Sequence, residues 1–184
     1  VVSARDGNPN VSLGGAAYVF RKTGTEWEEE TKLIPSDPVH QGYFAYSLSA
    51  YNNYILIGAP GDDHNGIGSG AAYIFKKEGN TWVEQTKLIP SDGYMNDNAG
   101  GSVSLYGDYA IVGCSGDEVN DLPGSGSAYL FKYNGSEWNE EAKLIPSDPS
   151  EYAQFGHSVA LHENYAVIGA RYANDFIGAS YIFR

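Results

Sequence analysis

The sequence predicts an all-β chain made of β-propeller blades, about three and a half four-stranded antiparallel blades within its 184 residues. Three observations carry this prediction. First, the hexapeptide KLIPSD occurs at Lys32–Asp37, Lys87–Asp92 and Lys143–Asp148, at spacings of 55 and 56 residues. Second, that register brings the rest of the chain into alignment: Trp27, Trp82 and Trp138 fall together, as do AAYVF from Ala16, AAYIF from Ala71 and SAYLF from Ser127. Third, 23 Gly and 15 Tyr in a chain with one Met and one Cys favour strands and tight turns over helices. Self-similarity at a period of this length is the mark of a repeat architecture.

Each repeat holds four strand-like runs, a to d. Run a begins at Phe44, Ala99 and Phe155. In the last of these Phe155, His157, Val159 and Leu161 share one face, while Gly156, Ser158 and Ala160 share the other, the period of two of a strand. Run b, as in Tyr54–Ala59, is almost wholly apolar, so both of its faces are expected to be covered. Run c is short and aromatic. Run d starts at the Trp and is rich in Glu and Lys. The a–b connections centre on Asn52-Asn53, Gly107-Asp108 and Glu163-Asn164, short enough for hairpins. Each c–d connection holds a Gly that can take positive φ. A lone four-stranded meander leaves two faces uncovered, and radial stacking of sheets covers them. The small face of run a suits the crowded centre, and run d suits the outer edge. A β-helix and a sandwich fit the strict repeat less well.

The whole chain reads as one repeat domain, 1–184, with units at roughly 1–43, 44–98, 99–154 and 155–184. The runs count as b-c-d, a-b-c-d, a-b-c-d, a-b-c, fourteen strands, too few to close a ring. Neighbouring repeats of a longer chain, or further copies, are expected to complete the propeller. The phase at the two ends favours a segment of a longer propeller over self-assembly.

Eleven Lys and Arg against 23 Asp and Glu give a formal net charge of −12. Such a surface repels phosphate backbones, which argues against nucleic acid and anionic membranes as partners. No apolar stretch is long enough for a spanning helix, so no membrane insertion is expected. Cys114 follows an apolar run where sister copies carry Ala59 and Ala170, which predicts a small buried side chain.

The Phe-Gly pair at Phe155-Gly156, with Gly58-Ala59-Pro60 in the matching run b of another copy, resembles the FG-GAP repeat of integrin α-type propellers, in a bacterial-type branch. The likeness covers essentially the whole chain and matches at four runs per unit. It implies a seven-bladed propeller, an extracellular or cell-surface location and a role in adhesion. The copies depart from the motif at Phe44-Ala45, Ala99-Gly100, Gly113-Cys114-Ser115 and Gly169-Ala170-Arg171. The family's calcium loop between runs a and b has no counterpart in AYNNY, LYGDY or LHENY, which offer too few oxygens for a cation needing six to eight.

The b–c and d–a connections are longer and differ from copy to copy, so a variable face is expected to bind a protein or glycan partner. Tyr43, Tyr94, Tyr152, His64, Asp97, Asn174 and Asp175 are its candidate ligand residues. No cofactor is required by any motif. The metal reading these loops offer is a weak calcium site at Asp62, Asp63 and Asn65, with a sister set at Asp117, Glu118 and Asp121. The same residues also read as solvated turns. Asn10 and Asn134 head glycosylation triplets. The Trp position, identical in every unit, reads as packing, and His157 as strand packing. No triad, metal-protease or phosphate-loop motif is present, so the chain reads as a non-catalytic binding module. The alternatives are a structural element of a ring or filament wall and, less favoured, a carbohydrate-active enzyme.

Overall fold

The alternating and apolar runs fold as the strands their periods require. A computed structural model describes residues 1–4, 7 and 11–184 and places fourteen strands in four antiparallel meanders. The first sheet is β1 (Val2–Ala4), β2 (Ala16–Thr23) and β3 (Glu26–Leu33). The second is β4 (Ser47–Tyr51), β5 (Tyr54–Ala59), β6 (Ala71–Glu78) and β7 (Thr81–Leu88). The third is β8 (Ala99–Tyr106), β9 (Tyr109–Cys114), β10 (Ser127–Tyr133) and β11 (Trp138–Leu144). The fourth is β12 (Phe155–His162), β13 (Tyr165–Ala170) and β14 (Ala179–Phe183). Between β13 and β14 lies a single turn, α1 (Ala173–Phe176), in which Asn174 and Asp175 take left-handed φ of 54° and 55°.

The turns follow from their residues. Asn52, Gly107 and Glu163 open the three β-hairpins between first and second strands with φ of 51°, 59° and 51°. The glycines of the third-to-fourth strand turns, Gly24, Gly79 and Gly135, have φ of 64°, 61° and 101°. Only a residue without Cβ adopts that region at no cost.

Burial follows from stacking. On β5, Ile55, Leu56 and Ile57 are all buried, because a sheet lies against each face. On β13 the pattern alternates: Ala166, Ile168 and Ala170 are buried against the third sheet, while Tyr165 and Val167 are exposed. Cys114 is fully buried, and burial pushes its thiol well above the usual range.

The sheets are stitched together along β4, β8 and β12, the innermost strands. Ser47 Oγ donates to Gly100 O at 2.8 Å and Ser102 Oγ to Gly156 O at 2.7 Å. Leu105 N donates to Ser49 Oγ and Leu161 N to Ser104 Oγ, both at 2.9 Å. The small face of the first strand is therefore the seam between blades. The glycines of the GA motif exist for this seam. A Cβ on Gly58 would lie 2.0 Å from Gly100 O, and one on Gly113 would lie 2.0 Å from Gly156 O.

One boundary differs from expectation. β8 and β12 begin at the Ala99-Gly100 and Phe155-Gly156 pairs, across a bulge whose glycine has φ of 86°. In the first full copy Ala45 replaces that glycine. It still adopts φ of 67°, but ladder pairing starts only at Ser47 rather than Phe44.

Gly113→Ala is expected to destabilise the chain by roughly 1–3 kcal/mol or more, since its Cβ meets a backbone carbonyl that cannot step aside. Gly58→Ala should behave alike. Urea unfolding midpoints of the two variants check this.

Candidate functional site

The connections on one face are held by a repeated backbone pattern. Asn96 N donates to Ile67 O and Asn98 N to Gly68 O, and Tyr152 N and Gln154 N bond likewise to Pro123 O and Gly124 O. Gln41 and Tyr43 bond in the same way to Ser12 and Leu13. All six donors sit at left-handed φ between 50° and 68°. Asn tolerates this region, whereas Tyr and Gln are strained there by an order of 1–3 kcal/mol each.

At the centre of this face is a groove of about 500 Å3. Three repeat positions line it, each in all three copies. The residue before the Phe-Gly pair contributes Tyr43, Asn98 and Gln154. The residue after the pair contributes Tyr46, Gly101 and His157. The residue after Gly-Ala contributes Pro60, Ser115 and Arg171. His40, Asp63 and Ile67 extend the rim. Aromatic faces, amides and imidazoles dominate this lining, with one guanidinium and one carboxylate among them.

Beneath the face lies a polar clasp, buried at Asp62 and Asp117 and open at Asp37 and Asp92, that recurs between blades. Lys87 Nζ lies 2.8 Å from Asp37 Oδ2 and 2.7 Å from Asp62 Oδ2. The Tyr73 hydroxyl lies within donating distance of both carboxylates, at 2.8 and 2.9 Å, its one proton shared between them. One blade further on, Lys143 lies 2.8 Å from both Asp92 and Asp117, and the Tyr129 hydroxyl donates to Asp92. Burial lowers the pKa of each lysine, but its two carboxylates outweigh that and hold both ammoniums above the usual range. Burial and the neighbouring carboxylates push the Tyr73 and Tyr129 hydroxyls up, so both remain donors. Burial also works to raise the Asp37 and Asp92 carboxyls, yet the lysine and tyrosine bonds win and hold both below the usual range.

The structure disperses the residues singled out from the sequence. Tyr43 and Asp63 reach the groove. Asp62 and Asp117 are buried in the clasp, where Oδ2 of each meets an ammonium and a hydroxyl, and Asp62 Oδ1 accepts the His64 N–H at 3.0 Å. Asp63 accepts the Gly68 N–H at 2.8 Å, and the Asn65 N–H donates to Ser69 Oγ at 3.1 Å. Glu118 and Asp121 are exposed. Among the described residues, no three His, Cys, Asp or Glu side chains cluster closely enough to hold a metal. Tyr94 and Tyr152 are exposed outside the groove, His64 is exposed beside the clasp, and Asn174 and Asp175 are exposed on the α1 turn. Asp97 is buried and accepts the Tyr94 N–H at 2.6 Å. Asn134 is exposed, but its Oδ1 accepts from Ser136 N, Ser136 Oγ and Glu137 N, which closes the hairpin turn. Asn10 lies outside the described residues.

Two sequence readings change. His157 is exposed in the groove rather than packed, because it follows the Gly156 bulge and lies outside the ladder, which passes from Phe155 to Ser158. The Trp residues do not share one environment: Trp82 and Trp138 are half-buried against the preceding blade, whereas Trp27 is 66% exposed. The groove residues missed by sequence reasoning carry a signal of their own. They are positions inside the repeat motif whose identity changes from copy to copy, while Gly58, Gly113 and Gly169 and Ser47, Ser102 and Ser158 recur on the same strands.

The FG-GAP repeat family matches the chain over residues 27–75, 82–131 and 138–183. No curated protein gives a significant match. No helix among the described residues is long and apolar enough to cross a membrane.

Lys143→Ala should cost roughly 2–3 kcal/mol by leaving Asp117 buried without its cation. This is less than for a fully enclosed pair because Lys143 keeps 28% of its side chain exposed. Chemical denaturation of the variant measures it. Asp97 gives a pH test of opposite sign to Asp92. Burial first, and the Asp117 charge next, raise Asp97 from 3.8 to about 6, against the Tyr94 N–H bond that lowers it. A raised folded-state pKa contributes stability that is complete below 3.8 and is lost as pH rises through about 6. The gain in melting temperature of Asp97→Asn over the parent should therefore grow across that window. Thermal unfolding at stepped pH reads this directly.

Proposed function

Since the chain belongs to the FG-GAP repeat family, a propeller-type repeat, we propose that it is a non-catalytic binding module whose central groove takes a protein or glycan partner outside the cell or at its surface. The observation that carries this reading is the groove itself. Three positions from each of three repeats converge there, and their side chains differ from copy to copy, while the glycines Gly58, Gly113 and Gly169 and the serines Ser47, Ser102 and Ser158 of the same strands recur. Binding residues are commonly displayed in this way, as variable side chains on a rigid frame. The strained φ of Tyr43 and Gln154 supports it further, because strain that the scaffold sustains gathers at ligand sites.

The lining defines the chemistry. Tyr43 and Tyr46 offer aromatic faces, Asn98 and Gln154 offer paired donors and acceptors, and Arg171 and His157 offer donors on the opposite side. Such a set suits a sugar ring or an extended peptide, each presenting apolar surface edged by hydroxyl or amide groups. Calcium has no part in this reading, since Asp62 and Asp117 hold lysines. Adhesion follows as the biological role.

A glycan array and a peptide panel, each run with and without calcium, test the proposal. Tyr46→Ala, His157→Ala and Arg171→Ala are expected to weaken the bound ligand by about tenfold or more while leaving the unfolding midpoint unchanged. A ligand that binds all three variants as it binds the parent places the site elsewhere.

A further inference from the structure

Two Asn-Gly pairs occur in the chain, Asn65-Gly66 between β5 and β6 and Asn134-Gly135 between β10 and β11. Both asparagines are exposed. In such a pair the side-chain amide and the next backbone nitrogen can meet, because glycine has no Cβ to obstruct the approach and its backbone turns freely. Ring closure asks three things of the fold: a free nitrogen, an activated carbonyl and a leaving amide that nothing holds. The two pairs differ in all three.

At Asn134 the carbonyl is activated. Its Oδ1 accepts from Ser136 N at 2.9 Å, Ser136 Oγ at 2.8 Å and Glu137 N at 3.0 Å. Three donors on one carbonyl oxygen draw electron density from Cγ and stand beside the atom that takes negative charge when a nucleophile adds. Among the described residues, neither the Gly135 N–H nor the Asn134 side-chain nitrogen makes a hydrogen bond. A Cβ built on Gly135 would meet nothing within 4 Å, so the nitrogen beside it stands in open space.

At Asn65 each requirement is opposed. The Gly66 N–H donates to Asp63 O at 3.2 Å, which occupies the nucleophile. Asn65 Nδ2 donates to Pro90 O at 3.5 Å, which holds the leaving amide. No donor meets its Oδ1 among the described residues. Gly66 is also half-buried, and a Cβ on it would lie 3.4 Å from Met95 Cβ.

We propose that Asn134-Gly135 is a site of spontaneous covalent modification, deamidation through a cyclic imide, and that the fold selects it over Asn65-Gly66. The Gly135 nitrogen gives its proton to solvent hydroxide and attacks Asn134 Cγ. The N–Cγ bond forms, the Cγ–Nδ2 bond breaks, and ammonia leaves with a proton taken from water. Water then opens the imide at one carbonyl or the other, giving aspartate or isoaspartate at this position. The net change consumes one water and exchanges an amide for a carboxylate, with nothing oxidised or reduced. The two products treat the hairpin differently. Aspartate keeps an oxygen for the same three donors, now as a charged acceptor. Isoaspartate inserts a methylene into a turn whose span is set by the Tyr133–Trp138 pair and by the Asn134 N–H bond to Glu137 O at 3.0 Å. That product opens the end of the β10–β11 hairpin.

The test holds the intact chain at mildly alkaline pH, folded and in concentrated urea in parallel. Peptide mapping by mass spectrometry follows the loss of each asparagine and separates aspartate from isoaspartate. In the folded chain Asn134 should be lost about tenfold or more faster than Asn65. In urea the two rates should converge, because the donors and the opposing bonds are gone. Ser136→Ala removes one of the three donors and leaves the Asn-Gly pair in place. It should slow the loss of Asn134 severalfold in the folded chain and leave the urea rate as it is. The comparison of folded and unfolded rates needs no variant, so the test does not depend on how Ser136→Ala folds. Three outcomes overturn the proposal. One is equal loss at the two sites in the folded chain, or faster loss at Asn65. Another is a bias toward Asn134 that persists in urea. The last is loss at Asn134 indifferent to Ser136→Ala.

Discussion

A lysine that holds two carboxylates from two different blades sets the relation of the first sheet to the second and of the second to the third. Lys87 binds Asp62 of its own sheet and Asp37 at the end of the preceding one, and Lys143 does the same with Asp117 and Asp92. Stacked sheets of Ala, Val and Ile pack at many relative rotations with similar energy. A buried carboxylate admits few, because it is costly wherever the ammonium fails to reach it. Buried ion pairs are weak contributors to net stability, but they discriminate sharply between arrangements. The clasp therefore fixes rotation, while apolar burial supplies most of the favourable free energy. The serine and glycine seam is a second, independent constraint, since it also joins the third sheet to the fourth, where Ser102 and Ser104 bond across without a lysine clasp among the described residues. Ser47 and Ser102 meet the next blade's carbonyl only if the sheets approach at one angle.

This accounts for the strictness of KLIPSD. Its Lys and its Asp bond to different neighbours: the Lys to the copy before, the Asp to the copy after. The apolar pair and Pro between them hold the two charges a fixed distance apart, with Pro35, Pro90 and Pro146 buried at the strand end. From the sequence alone the hexapeptide is legible as the end of an outer strand and the start of a turn, which it is. Its pairing across copies is not legible, since a strand with Lys at one end and Asp beyond the other looks like a solvated edge. The fourteen strands, the hairpins at Asn52 and Gly107 and the burial of Cys114 were open to reading because each depends on local period or turn chemistry. The late start of β4 and the exposure of His157 depend on a bulge, and a bulge is invisible until the register is known. The same limit hid the groove. Loop composition drew attention to Asp62 and Tyr94, while the groove uses positions within the motif whose convergence only the stacking reveals.

The two demands on the chain are thereby separated in the sequence itself. Gly58, Ser47, Lys87 and Tyr73 and their counterparts serve the junction, and changing one disturbs two blades. The residues beside them turn their side chains to the groove, so Tyr46, Gly101 and His157 occupy one position with three different chemistries. Left-handed backbone at Tyr43 and Gln154 is sustainable for the same reason. The bonds to Leu13 and Gly124 fix those conformations from outside.

Charge sharpens what the groove selects. The formal net charge is −12, and the clasp leaves that balance unchanged at the surface, since each lysine is matched by one buried carboxylate, Asp62 or Asp117. The groove does not share that character. Arg171 offsets Asp63 in formal charge, and its remaining polar groups are amides, phenols and imidazoles. An acidic exterior around a balanced groove repels anions at a distance and gives a cation no deep well to occupy. The ligand we propose for the centre is therefore uncharged, with apolar faces and a hydrogen-bonding edge. Its affinity would come from desolvated aromatic contact and directional bonds rather than from ion pairing.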